Sequence, residues 1–269
     1  MFNFIKKLFN PPKLGYNGGL VSPKDDRDYI KQFERGDKGQ IVGAVGNVPL
    51  SFSLDHMMGK ILNQGATNSC SGHAGTYFMN ILVSKTLNAF GDYKLNPFYN
   101  YYYARKESGL LGQDGGAYIR SALKALTKYG VWNCNMSNPS QKPPTDFDIN
   151  NSFKLKGYEA LTRGESLIED MKYVLSVEQL PLMLCVNIID KNINSWSGEM
   201  KSNGNITGSS GWHAMCAVGY KTKTDGTWFK VANSWSSSWG DNGFAWIHEN
   251  YFNNTSLVSE IWCPVKSYY

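Results

Sequence analysis

From Cys70 onward, apolar residues recur at Ala74, Tyr77, Phe78, Ile81 and Leu82, the i, i+3, i+4, i+7, i+8 spacing of one buried face of an α-helix. A second helix is predicted near 118–129, stopped at Gly130, and a third near 166–177. Beyond that the pattern changes. Short apolar runs at 181–189, 213–220, 228–233 and 243–248 read as strands. Between the two regions, 133–152 holds Pro139, Pro143 and Pro144 among Asn and Ser and reads as a crossover. Residues 10–50 are rich in Pro, Gly and charge, which predicts an extended arm with at most one short helix near 29–34. A helical first half and a β-rich second half predict an α+β protein with two lobes. The expected divisions are an arm over 1–47, a helical lobe over 48–150 and a β-rich lobe over 151–269.

Composition narrows the function. Hydrophobic residues make up 42% and charged ones 18% of 269, enough for a large core. The net charge of +5 is scattered, with no run of five basic residues, so nucleic acid is not an expected partner. No stretch reaches the ~18 apolar residues of a membrane span. At the amino terminus Phe2, Ile5, Leu8 and Phe9 share one helical face opposite Lys6 and Lys7. That face fits docking on the chain's own domain, on a partner or on a membrane surface. The lysines interrupt it as a secretory signal.

Five cysteines are too few for a disulfide scaffold, and their odd number leaves a free thiol. Cys185 and Cys216 sit in apolar runs and read as buried hydrophobes, while Cys134 and Cys263 show no partner spacing. No pair has the spacing of a zinc site, so neither metal nor cofactor is expected. A reducing setting fits best, the cytoplasm or a viral particle.

Three segments carry chemistry. In Asn63-Gln-Gly-Ala-Thr-Asn-Ser-Cys70 the cysteine stands at a predicted helix start, where the macrodipole and unpaired N–H groups favour the thiolate. Gln64, across a Gly-containing turn, is placed to donate to an oxyanion alongside the Cys70 N–H. In Gly211-Trp-His-Ala-Met-Cys216, His213 opens an apolar strand. In Asn233-Ser-Trp-Ser-Ser-Ser-Trp-Gly240, an Asn side-chain oxygen is available to fix a histidine tautomer under an aromatic cover. Singly, each has an ordinary structural use: a helix cap, a core histidine, a turn residue.

Together these segments resemble the papain family of cysteine peptidases, whose motifs fall on Gln64, Cys70, His213, Asn233 and Trp235 in that order. The stretch with Asp114, Gly115 and Gly116 resembles the family's cleft wall, and the similarity runs from Val48 to His248. It implies a helical left lobe, a β-barrel right lobe and an active-site cleft between them. It also implies endopeptidase chemistry on peptides or proteins, through an acyl-enzyme on Cys70 with His213 as base, Asn233 as orienter and Gln64 as oxyanion donor. Gly115 and Gly116 are expected to pair with substrate backbone, and Ala117, Tyr118 and Trp212 to shape a side-chain pocket. The sequence departs at Asn68, which stands for a family glycine, and at Ser71, which stands for an aromatic. The missing disulfide cysteine fits a bacterial or phage-type branch, and the leading residues look short for an inhibitory propeptide. Rival readings are a papain-fold component of a larger assembly, such as a phage particle, and a ligase using the same acyl-enzyme. His73 is a local alternative base, while His56 and His248 read as structural.

Overall fold

The structure is a computed structural model that describes residues 18–37, 40–43, 47–144, 153–188, 199–200 and 211–265. Phe2, Ile5, Leu8 and Phe9 lie outside the described residues, as does the end of the expected crossover. Helix α1 spans Cys70–Leu87 and is buried at every position from Cys70 to Ser84. It is therefore enclosed on all sides, wider than the single stripe read from the sequence. It ends at Asn88 in the left-handed conformation, φ 47°.

Helix α2, Pro97–Ser108, was not anticipated. Its tyrosines show no one-sided apolar face, although its end signals are present. Asn96 caps it by accepting from the Phe98 and Tyr99 N–H groups, Pro97 takes the first position, and Gly109 closes it at φ 72°. The α1–α2 crossing is close because α1 carries glycines there. A Cβ on Gly72 would overlap the Pro97 carbonyl oxygen, and one on Gly75 the Asn100 amide. A short strand, β3 (Ala117–Tyr118), leads into α3, Ile119–Lys128, which stops before Gly130 as the pattern predicts.

The second half is built on one sheet. Its strands are β2 (Ser51–Ser53), β4 (Tyr158–Ala160), β5 (Leu182–Ile188), β6 (Glu199–Met200), β7 (Gly211–Lys223), β8 (Gly226–Ala232), β9 (Phe244–His248) and β10 (Val258–Pro264). The order is β4-β10-β5-β7-β8-β9-β6, with β2 paired to β7; no pairing joins the two ends among the described residues. Helix α4, Leu167–Ser176, packs on β5 and β7, and a short α5, Glu249–Phe252, follows β9. All seven residues of β5 are buried, since α1 and α4 both touch it, and this accounts for its unbroken apolar run.

The described part of the arm lies against both halves. Strand β1, Gly19–Leu20, pairs in parallel with β3. No helix forms near 29–34. Instead Lys31 N–H donates to Ala160 O (2.9 Å) and Ala160 N–H to Tyr29 O (2.8 Å), because the edge of β4 offers main-chain partners that a short helix would forgo. Ion pairs fix the strap: Arg120–Asp28 at 2.6 Å, Lys31–Glu178 at 3.0 Å and Arg35–Asp170 at 2.7 Å. Ser22 N–H also reaches Glu260 at 2.5 Å.

The helix crossing yields a stability prediction. Gly72→Ala should lose about 1–3 kcal/mol despite alanine's better helix propensity, since a main-chain oxygen must move. Gly91→Ala, with open space around it, is the control. Urea midpoints check both, and equal midpoints would show that the helices separate freely.

Candidate active site

The N-terminus of α1 meets β7 at the centre of the molecule. Cys70 is the first residue of α1, and its Sγ accepts from the Ala214 N–H at 3.4 Å. His213 precedes Ala214 on β7, so the same stretch of strand carries both the N–H bonded to the thiol and the imidazole. Both side chains are fully buried.

Hydrogen bonding fixes the histidine's tautomer. Asn233 Oδ1 accepts from the Ser234 N–H at 2.7 Å, so that atom is an oxygen in an acceptor role. His213 Nε2 lies 2.7 Å from the same oxygen and must therefore carry the proton. Nδ1 is left as a bare acceptor, with no hydrogen-bond partner among the described residues. The Trp235 ring covers the imidazole at 4.7 Å between centroids and is itself met edge-on by Trp239. An imidazole whose Nδ1 lone pair is unengaged and whose far nitrogen is clamped is chemically equipped to accept a proton from a thiol.

Gln64 belongs to the same assembly. Its Oε1 accepts from Ser234 Oγ (2.6 Å), its Nε2 donates to Thr67 O (2.7 Å), and its N–H donates to Ser234 O (2.8 Å). Tyr77 Oη donates to Asn233 O and accepts from Leu62 N–H. The segment before the cysteine and the segment after Asn233 are thus zipped together. His73, the local alternative, is held away: Nδ1 bonds Ser69 O at 2.9 Å and the ring stands edge-on to Phe98. His248 caps α5 and bonds Asp225 O, and His56 packs against Phe90. All five cysteines are free; Cys185, Cys216 and Cys263 are buried and Cys134 is half-buried.

Asp114 wires the opposite wall. Its carboxylate accepts from the Asn68 N–H (3.0 Å) and from Tyr101 Oη (2.7 Å), while Asn68 Nδ2 donates to its carbonyl (2.6 Å). Gly116 N–H is taken by Tyr101 Oη at 3.0 Å. The chain seated along this wall is the arm itself, bonded through Ala117 N–H to Gly18 O at 3.0 Å. Gly115 borders open space, Ala117 is buried, and Tyr118 and Trp212 are half-buried at the starts of α3 and β7.

Gly18 and Gly19 are buried, with Gly18 near the Cys70 sulfur and against Asn68, and Gly19 against the backbone of His213 and Ala214. Asp114, Tyr101, Ser234 and this glycine pair were not assigned site roles from the sequence. Asp114 was visible in the cleft-wall motif; Gly18-Gly19 carried no mark beyond a loop-like composition.

Enclosure sets the charge state. Burial pushes the Cys70 thiol up to about 12, only partly offset by the N–H groups of Ala214, Ser71 and Gly18. Burial likewise lowers His213 to about 4, against its hydrogen bond to Asn233 Oδ1, which favours the protonated form. The pair is therefore neutral thiol and neutral imidazole. Burial also lowers His73 to about 4. An unfolded chain takes up protons at both histidines from about pH 6.5 downward, whereas the folded chain resists until about 4. Stability should therefore fall as pH drops through that window, by up to about 1.4 kcal/mol per pH unit for each histidine. Urea titrations at several pH values should give a slope shallower by about that amount in His73→Gln. Identical slopes would mean that His73 protonates freely in the folded chain.

Comparison with known proteins gives the site its context. An uncharacterized peptidase C1-like protein of Acanthamoeba polyphaga mimivirus is 25% identical across 91% of this chain and 85% of its own. A senescence-specific cysteine protease of Oryza sativa is 30% identical over 143 residues, 49% of this chain and 38% of its own. The crystal structure of xylellain, a cysteine protease from Xylella fastidiosa, shares the fold with a TM-score of 0.78 at 21% identity, covering 96% of this chain and 98% of that one. A digestive procathepsin L2 proteinase of Tenebrio molitor aligns with a TM-score of 0.72 at 19% identity, over 97% and 82% of the two chains. Residues 58–265 match the papain family cysteine proteases, and the chain belongs to that family.

Proposed function

We propose that the chain is a latent cysteine endopeptidase in which Cys70 is the nucleophile, His213 its base and later its acid, Asn233 the orienter and Gln64 an oxyanion donor. The observation that carries the reading is the fixed tautomer. With Nε2–H clamped on Asn233 Oδ1, the lone pair on Nδ1 is the acceptor for the thiol proton. The thiolate then adds to a peptide carbonyl, and the oxyanion is held by the Cys70 N–H and the Gln64 amide. The imidazolium gives its proton to the leaving amine, and the restored base activates water to release the acyl group.

Latency follows from the arm. Gly18 and Gly19 sit buried against the entry to α1 and the backbone of His213 and Ala214, so the arm occupies the approach to the thiol. The burial that accompanies it disfavours the thiolate–imidazolium pair, so turnover requires the arm to lift. Free thiols support a reducing interior for the protein, and the viral relative supports a virus-encoded origin with either a cytoplasmic or a particle location.

Variants test the roles. His213→Ala should cost about 10²–10⁴-fold in kcat and Gln64→Ala about 10²–10³-fold. Asn233→Ala should cost less than His213→Ala, because the base stays present though poorly aimed. An unchanged kcat in Gln64→Ala with a raised KM would reduce that residue to substrate positioning.

The arm is tested separately. A side chain at position 18 would collide with the Asn68 main chain. Gly18→Val should therefore raise peptide turnover of the full chain by about 10–100-fold, as overpacking of 1–3 kcal/mol shifts the closed population. Turnover equal to wild type would remove the arm as the cause of latency.

A further inference from the structure

The cleft over Cys70 has a width that can be read from what occupies it. A Cβ on Gly18 would fall inside contact distance of the Asn68 carbonyl oxygen and lie 2.6 Å from its carbonyl carbon. On the other side, Gly18 O is held by Ala117 N–H, and Gly116 approaches so closely that a Cβ there would strike the same oxygen. A Cβ on Gly19 would stand 3.0 Å from His213 Cα and from Ala214 N, tighter than ordinary packing. The bounding atoms are the Asn68 Cβ and main-chain atoms at the entry to α1, on the cleft wall and on β7. They do not move aside as the tip of a flexible side chain would. Leu20 is half-buried and Val21 exposed, so the narrowing spans the two glycines and no more toward the carboxyl side.

Asn68 is what holds the walls at this spacing. It stands immediately before the Ser69-Cys70 step, and its main-chain N–H and side-chain amide both bond Asp114, at 3.0 and 2.6 Å. Tyr101 extends the tie from Asp114 to Gly116. The loop ahead of the nucleophile is thus cross-linked to the wall that a bound chain lies along.

We propose that this corridor makes the enzyme selective for peptides carrying two adjacent glycines where they cross Cys70, with Asn68 as the specificity-determining residue. The inference rests on Cys70 being the nucleophile. When the arm lifts, a substrate enters the space the arm vacates and meets the same main-chain walls. A methyl group at either place costs about 1–3 kcal/mol, on the order of 10–100-fold in rate. Flanking positions, where the arm carries Leu20 and Val21, accept side chains.

The test uses two vinyl-sulfone peptides identical except for Gly-Gly or Ala-Ala next to the warhead, with labelling of Cys70 in the full chain followed by mass spectrometry. The ratio of the two rates is the readout. Wild-type chain serves even though its arm must open, because opening enters both rates equally; Gly18→Val gives the same ratio faster. Gly-Gly should label Cys70 at least about tenfold faster. Asn68→Gly, which removes a Cβ and the amide tie to Asp114, should shrink the ratio mainly by accelerating the Ala-Ala probe. Equal rates for the two probes in wild type, with Cys70 labelled rapidly by both, would overturn the glycine corridor and leave the peptidase reading standing. Reaction of Cys70 with iodoacetamide alone, with both probes inert and no peptide cleaved, would overturn both.

Discussion

Everything in the site depends on one contact between the halves of the chain: the buried N-terminus of helix α1 set against the start of the central strand β7. The Ala214 N–H to Cys70 Sγ bond marks that contact. Neither partner is placed by local propensity. Cys70 is positioned because α1 is enclosed by α2, β5 and β7, and α1 is enclosed because Gly72 and Gly75 let α2 approach at backbone distance. His213 is positioned by β5, whose Val186 is its register partner, while β8 joins β7 from Cys216 onward. The thiol and the imidazole are thus held by two different packing problems solved at one point. The seam linking Gln64 to Ser234, and Leu62 to Asn233 through Tyr77, closes the third side.

The same enclosure has an electrostatic effect that opposes reactivity. A low-dielectric setting strengthens the hydrogen bonds that orient His213 and Asn233, but it penalises the charged forms of sulfur and imidazole. Precision of placement and ease of ionisation therefore pull in opposite directions at Cys70. A site of this kind needs solvent or substrate dipoles to enter before charge separates, so the state in which the residues are best shielded is also the state in which they are least reactive.

How much of this was legible in the sequence depended on the range of the interaction. Cys70, His213, Asn233, Gln64 and Trp235 stood out because each lies in a short motif whose neighbours serve the same local geometry. Strands β5 and β7 were visible as apolar runs because they are buried over a continuous stretch, and β8 and β9 because most of their positions are buried. Helix α2 was missed because its seven-residue aromatic core, from Phe98 to Ala104, shows no face; burial there is distributed among Tyr99, Tyr101 and Ala104. Its capping Asn96, Pro97 and Gly109 were the available signal. The role of Gly18-Gly19 was illegible for a different reason. A residue selected for having no side chain leaves nothing to read until the wall opposite it, Asn68 and Gly116, is known. Asn68 itself was noticed as a departure from the family pattern, but its tie to Asp114 spans 46 positions and needs the fold.

The strap from Gly18 to Arg35 is covalently part of the enzyme, and that changes the arithmetic of occupancy at the thiol. A separate inhibitor is lost on dilution; a tethered one is present at an effective concentration set by chain geometry, on the order of millimolar for a short flexible connection. Here the connection is further restrained by ion pairs to Arg120, Glu178 and Asp170, which reach both halves of the molecule. On the proposed latency, silence of the thiol is therefore independent of how much protein is present. A peptide competing for the cleft must match the local abundance of the arm rather than its own affinity for an empty site. Sparse substrates leave the enzyme unengaged, and crowded ones, or a partner that grips the strap, bring it into play.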